Sequence, residues 1–308
     1  MSNSANFALI LKKTIFYYGQ LLKLRLSTTV VFSAVAGFLL GVDVFSFSTF
    51  ICLMVGGFLV TGSANGFNQI LEKEQDKLME RTAVRPLPKG NLSVLHASIF
   101  SIIIGVLGIY LLNFINPQGS FFGLMSKSGA FSLLSIALYV LVYTPLKRFS
   151  PLSISIGAIP GAIPFLLGFV AATDDFALAA GMLFAIQFFW QYPHFIAIVW
   201  VQEEAYKKAG FKMMFGGEKG KLAASIAIIT SVVMTVISIA AYFYEIPNLN
   251  LSIYGAIIIL MLGIWFTLKS IKLYADCEDS SAKKLMLSSF AYLPLMQIVY
   301  ILDKYFIQ

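Results

Sequence analysis

"FSTFICLMVGGFLVTGSANGFNQILEKEQDKLMERTAVRPLP", Phe47 to Pro88, joins two unlike kinds of sequence end to end. Residues 47–70 form an apolar run long enough to cross roughly 30 Å of hydrocarbon as a helix, the only open-ended backbone form whose polar groups are all satisfied internally there. From Asn68 onward nearly every second side chain is charged or carries an amide. A membrane helix that runs out into such a segment sets the class of fold.

The same apolar windows recur along the chain, at about 18–41, 94–115, 129–146, 152–172, 177–201, 222–244, 250–272 and 285–304, making nine with the first. The composition agrees: 58% hydrophobic, 12% charged, mean hydropathy +0.83, outside the range of a soluble domain of 308 residues. An all-α integral membrane protein of nine transmembrane helices is predicted, with residues 1–308 forming a single membrane domain. The short apolar piece "FALIL" has no basic stretch before it and no small-residue cleavage site after it, so no signal peptide is expected.

Of the 22 Lys and Arg, all but Lys127 and Lys304 fall in alternate connections on one side of these windows. By the positive-inside rule the N-terminus is expected in the cytoplasm and the C-terminus outside. The net charge of +7 thus reflects topology and gives no reason to expect a nucleic-acid partner. Cys52 and Cys277 have no pair spacing for metal or redox work.

Asn68, Glu72 and Asp76 recur every four residues, so a helix continuing past the bilayer core carries them on one face, drifting about 40° per step. Arg81 and Arg85 repeat the spacing. Two readings stand: a solvated helix end laced with ion pairs, or oxygen ligands for Mg²⁺ beside cations for a diphosphate. Mg²⁺ takes only one or two carboxylates and keeps substrate oxygens as its other ligands. The second reading gains from Asn68 and Gln69, which sit at the membrane boundary, where polar groups are costly.

Two further stretches carry polar residues at helical spacing. In "QFFWQYPHFIAIVW", Gln187, Gln191 and His194 mark successive turns of an apolar helix, and His194 reads equally as a packing histidine or as facing a substrate. Glu203, Glu204 and Tyr206 follow on the same membrane side as the first cluster. In "YTPLKRFSPLSISIGAIPGAIPFLLGF", Tyr143 and Lys147 are four apart, and Gly157, Gly161 and Gly168 permit close helix packing or leave room for a guest.

The run Asn68, Glu72, Asp76, Arg81, Thr82, Arg85, Pro86, Leu87 resembles the first aspartate-rich motif of the UbiA superfamily of intramembrane prenyltransferases. "YTPLKR" at 143–148, "GAIP" at 161–164, "WQYPHF" at 190–195 and "AYKKAGFKMM" at 205–214 make it most similar to the protohaem IX farnesyltransferase family within it. The resemblance spans nearly the whole chain, with two departures. Glu72 stands for the usual Asp, and Ala205 stands where that family has an Asp.

That resemblance implies farnesyl transfer from farnesyl diphosphate to the 2-vinyl group of haem B, giving haem O, with Mg²⁺ as cofactor. It implies Asn68, Glu72 and Asp76 at Mg²⁺, and Arg81, Arg85, Tyr143 and Lys147 on diphosphate. Glu203, Glu204 and Tyr206 are further candidates, and Gln191 and His194 are candidates for the haem side. It also implies the cytoplasmic inner membrane of a bacterium, an active site towards the cytoplasm, and a haem A synthase or oxidase-assembly protein as candidate partner. A quinone-pathway relative would carry a full second pair of aspartates. A transporter would give no reason for the Arg-Thr-x-x-Arg-Pro-Leu run.

Overall fold

The computed structural model describes residues 3–118, 120–121 and 123–307. Among them, nine helical spans are long and apolar enough to cross a membrane. They are preceded by α1 (Asn3–Leu22) and begin with α2 (Leu24–Gly41) and α3 (Phe47–Leu71). Two short helices, α4 (Lys73–Leu78) and α5 (Glu80–Ala83), lead to α6 (Val94–Asn113). The fourth span combines α7 (Lys127–Ala137), a π-helical turn (Leu138–Tyr143) and α8 (Thr144–Leu146). Then come α9 (Leu152–Thr173), α10 (Leu178–Val201), the short α11 (Glu203–Lys208), α12 (Lys221–Phe243), α13 (Ile253–Asp276) and α14 (Asp279–Phe306).

Serines set several starts. Ser46, Ser93, Ser126 and Ser252 each accept a backbone N–H from the first turn of α3, α6, α7 and α13. One expectation needs correction. The first span begins at Leu24 rather than near residue 18, because Lys23 adopts a left-handed conformation (φ 49°) that separates α1 from α2. The Leu22 carbonyl freed there accepts from Ser27 Oγ at 2.7 Å and Asn65 Nδ2 at 3.4 Å. The nearly all-helical architecture is as expected, with one small β element: Ser120–Phe121 pairs antiparallel with Met125–Ser126 in a two-stranded hairpin before α7.

α9 is the central helix, with 78% of its most apolar window buried, and it packs on α2 and α10. Its small residues serve contact. A Cβ built on Gly168 would overlap the Ala34 carbonyl of α2, and one on Gly37 would overlap the Phe165 carbonyl of α9. Gly157 faces the Tyr143 ring and Gly161 faces Gln191. Between packing and a space for a guest, these four glycines are taken up by packing.

Candidate active site

α3 stops at Leu71, yet its ladder does not. Glu72 N–H donates to Asn68 O at 2.9 Å and Asp76 N–H to Glu72 O at 2.7 Å, across a bend at Glu72 (φ −100°, ψ 13°). The three residues therefore stay on one face through the bend, and all three are buried. Thr82 fastens the turn that follows by donating to the Asp76 carbonyl at 2.9 Å. Arg148 Nη2 holds the end of α3 from across the site, donating to Leu71 O at 3.0 Å and Gln75 Oε1 at 2.8 Å.

Each residue of that face meets a cation from a different segment. Lys23 Nζ donates to Asn68 Oδ1 at 3.2 Å, Lys147 Nζ lies 2.9 Å from Glu72 Oε1, and Arg85 Nη1 bonds Asp76 Oδ2 at 2.7 Å. Asn68 Nδ2 also donates to Thr144 Oγ1 at 3.3 Å. Burial pushes Lys23 down to about 7, with the nearby Arg85 and Lys147 adding to the effect. Burial works against the Lys147 ammonium as the largest single effect, but Glu72, Tyr139 and Tyr206 together outweigh it and hold that group above its ordinary value. Lys23 was legible only as a topological charge. The missed signal is an ionisable group inside the apolar run "YYGQLLKLRLSTTVVF".

The π-helical turn delivers the next wall. Pro145 has no N–H for the preceding turn, and the widened helix sets Tyr143 beneath Lys147, whose Nζ is 4.5 Å from the ring centroid. The Lys147 carbonyl accepts from Lys212 N–H at 2.7 Å, which clasps the segment after α11 to the first cluster. Phe211 there packs edge-on against Tyr206 at 5.6 Å. Burial pushes the Tyr206 phenol up despite Lys147 and Arg81. Tyr206, Glu203, Lys207, Phe211 and Phe149 line a cavity of about 490 Å³ beside this joint.

α10 bends as α3 does. Gln202 (φ −103°, ψ 13°) matches Glu72, and its ladder likewise continues, Tyr206 N–H to Gln202 O at 2.9 Å. The positions answering to Asn68, Glu72 and Asp76 are therefore Ile198, Gln202 and Tyr206, which carry no carboxylate. Glu203 is buried and held by Lys207 at 3.1 Å, Lys219 at 3.8 Å and the Lys219 N–H at 3.2 Å. Glu204 and Arg81 are exposed.

Gln191 and His194 stand apart from the cation cluster. Gln191 Nε2 donates to the Ala158 carbonyl at 2.9 Å and Gln187 Nε2 to the Gly161 carbonyl at 2.9 Å, so this part of the polar stripe fastens α10 to the proline-bearing α9. His194 turns to α14, with Nδ1 2.7 Å from Ser289 Oγ.

No group of three or more His, Cys, Asp or Glu among the described residues is arranged to hold a metal by itself. The donors do fit an ion that shares its shell with a substrate. Asp76 Oδ1 is buried without a hydrogen-bond partner, and Glu72 and Asn68 bring oxygens to the same face.

Residues 30–293 match the UbiA prenyltransferase family. The chain belongs to that family. A protoheme IX farnesyltransferase of Flavobacterium psychrophilum is 45% identical over 297 residues, covering 95% of this chain and 96% of the relative. Among solved structures, a digeranylgeranylglyceryl phosphate synthase superposes with TM-score 0.77 at 20% identity, covering 94% of this chain and 98% of the other. A UbiA homolog from Archaeoglobus fulgidus bound to DMAPP and Mg²⁺ superposes with TM-score 0.70 at 16% identity, covering 92% and 99%. The nine-span, nearly all-helical bundle is thus a UbiA fold.

Proposed function

We propose that this UbiA-family chain transfers the farnesyl group of farnesyl diphosphate to the 2-vinyl group of haem B, releasing diphosphate and giving haem O. The observation that carries the diphosphate half is the buried face of Asn68, Glu72 and Asp76, met by Lys23, Lys147 and Arg85 from three segments. The acceptor is argued from the 45% identical relative named for that reaction.

Asn68, Glu72 and Asp76 would hold Mg²⁺, which when bound neutralises charge on the diphosphate and so weakens its bond to farnesyl C1. Lys147, Arg85 and Lys23 turn their donors from the carboxylate face towards the diphosphate oxygens, with Arg81 approaching from the exposed rim. Tyr143 supports Lys147 from below and, with Tyr206, keeps an aromatic wall beside the charge that develops at C1. The C1–O bond breaks, the terminal vinyl carbon bonds C1, and the remaining cationic carbon takes up water and loses a proton to become the hydroxyethyl group. Glu203, fixed by Lys207 and Lys219, orders the second wall rather than adding a metal ligand, since the positions answering to the first motif are Ile198, Gln202 and Tyr206.

The charge asymmetry supports an N-terminus and a diphosphate site on the cytoplasmic side of a bacterial inner membrane, within a single membrane domain. A haem A synthase or oxidase-assembly protein would receive the product there. The test is purified full-length protein in nanodiscs with Mg²⁺, farnesyl diphosphate and haem B, the haems being extracted and weighed by mass spectrometry. A mass equal to farnesylated, hydrated haem B supports the reading. Prenylation of 4-hydroxybenzoate in place of haem moves the chain to the quinone-pathway relatives.

A further inference from the structure

α10 and α14 meet at a cluster that the metal and diphosphate chemistry leaves unused. Trp190 stacks on His194 with ring centroids 4.6 Å apart and planes inclined by 18°, and Phe290 meets the imidazole edge-on at 5.1 Å. Both α10 side chains address one residue of α14. Trp190 Nε1 donates to the Ser289 carbonyl at 3.1 Å, and His194 Nδ1 lies 2.7 Å from Ser289 Oγ.

The direction of that last bond follows from counting protons. A serine hydroxyl has one to give, and Ser289 Oγ gives it to the Met286 carbonyl at 2.6 Å, an oxygen that can only accept. The contact with His194 then runs from Nδ1–H to Ser289 Oγ. In the neutral imidazole this leaves the lone pair on Nε2, which makes no hydrogen bond to the described residues. An imidazole whose Nδ1–H is held by an oxygen acceptor while Nε2 keeps its lone pair is set up as a metal ligand, with the acceptor fixing both tautomer and ring orientation.

We propose that His194 Nε2 is an axial ligand to the iron of the haem acceptor, and that Ser289 is the positioning residue that holds the imidazole in this tautomer. The proposal deepens the transfer to haem B argued above and rests on it. The stacked Trp190 and the edge of Phe290 give the imidazole apolar flanks suited to a porphyrin face. The next contacts lead to the leaving group: His194 to Phe195 at 5.6 Å, Phe195 to Tyr143 at 6.2 Å, and Tyr143 to Lys147 Nζ at 4.5 Å. A flat ligand anchored at His194 has an aromatic path towards the farnesyl donor.

The test is haem B binding to full-length protein in nanodiscs without farnesyl diphosphate, followed by resonance Raman of the ferrous complex and by absorbance titration. The wild type is expected to show an iron–histidine stretching band. His194→Ala loses the band and regains it with added imidazole. Ser289→Ala shifts the band and weakens haem binding about 10-fold, within the range for residues that orient metal ligands, and Ser289→Thr restores both. An unchanged band in His194→Ala, no band in the wild type, or a Ser289→Ala protein equal to the wild type in band and affinity would each overturn the proposal. Should His194→Ala fail to fold, the Ser289 pair decides alone. A His194-dependent band without farnesylated haem in the transfer assay leaves the ligand standing and removes the transfer reading. Haem O formation with an unchanged band in His194→Ala does the reverse.

Discussion

Lys147 Nζ lies 2.9 Å from Glu72 Oε1, and the two side chains are only 11% and 6% exposed. A buried pair of this kind stores its value in being complete, because removing one partner strands the other charge in a low dielectric. Lys147→Met is expected to destabilise the protein by about 3–5 kcal/mol. Glu72→Gln combined with Lys147→Met should recover most of that loss while leaving transfer activity abolished. Melting curves of the single and double variants in one detergent, read beside turnover, check both parts. A double variant as unstable as the single one refutes the pairing.

Asp76 and Glu72 separate by chemistry. Asp76→Asn keeps the shape but removes the charge opposite Arg85, and turnover is expected to fall at least ~100-fold, the scale of losing a group that stabilises transition-state charge. Glu72→Asp keeps the carboxylate with a shorter reach and is expected to stay within about 10-fold of the wild type. Steady-state rates with farnesyl diphosphate at saturation distinguish the two.

Chelation gives an independent check on the buried oxygens. Extraction with EDTA should stop turnover, and Mg²⁺ should restore it. Ca²⁺, larger and indifferent to octahedral geometry, should restore little. The readout is diphosphate release against metal concentration. Full activity after exhaustive chelation contradicts a metal on Asn68, Glu72 and Asp76.

Gly168→Ala tests the crossing of α2 and α9. The added Cβ meets the Ala34 backbone carbonyl, which cannot rotate away, so the two helices must part. A loss of 1–3 kcal/mol or more, roughly the cost of overpacking a filled core, is expected as a lower melting temperature. Gly181→Ala, where a Cβ meets nothing within 4 Å, is the matched control and should melt like the wild type.

The sequence made the helices legible because a bilayer demands about twenty apolar residues per crossing, a long-wavelength signal that local detail does not erase. Phe47–Leu71 and Leu152–Thr173 lie within a residue of their expected bounds. The left-handed Lys23 did not announce itself, and the oxygen its side chain meets lies 45 positions away at Asn68. The π-helical turn at Leu138–Tyr143 was likewise hidden, because Pro145 alone is equally compatible with a kink. At the site, a four-residue spacing was enough to bring Asn68, Glu72 and Asp76 to one face. Sequence could not show which cation meets which oxygen, because Lys23, Arg85 and Lys147 arrive from three separate segments. Nor could it show that Gln191 is spent on Ala158 while His194 turns to Ser289, for both lie on one stripe of α10.

The most direct measurement is expression of the full-length protein in a bacterial host lacking its own haem O synthase, with membrane haems extracted and analysed by mass. Haem O is expected in cells carrying the wild-type chain and only haem B in cells carrying Asp76→Asn at equal membrane abundance. Haem B alone in both, with the wild-type protein demonstrably in the membrane and farnesyl diphosphate present, would contradict the proposed transfer.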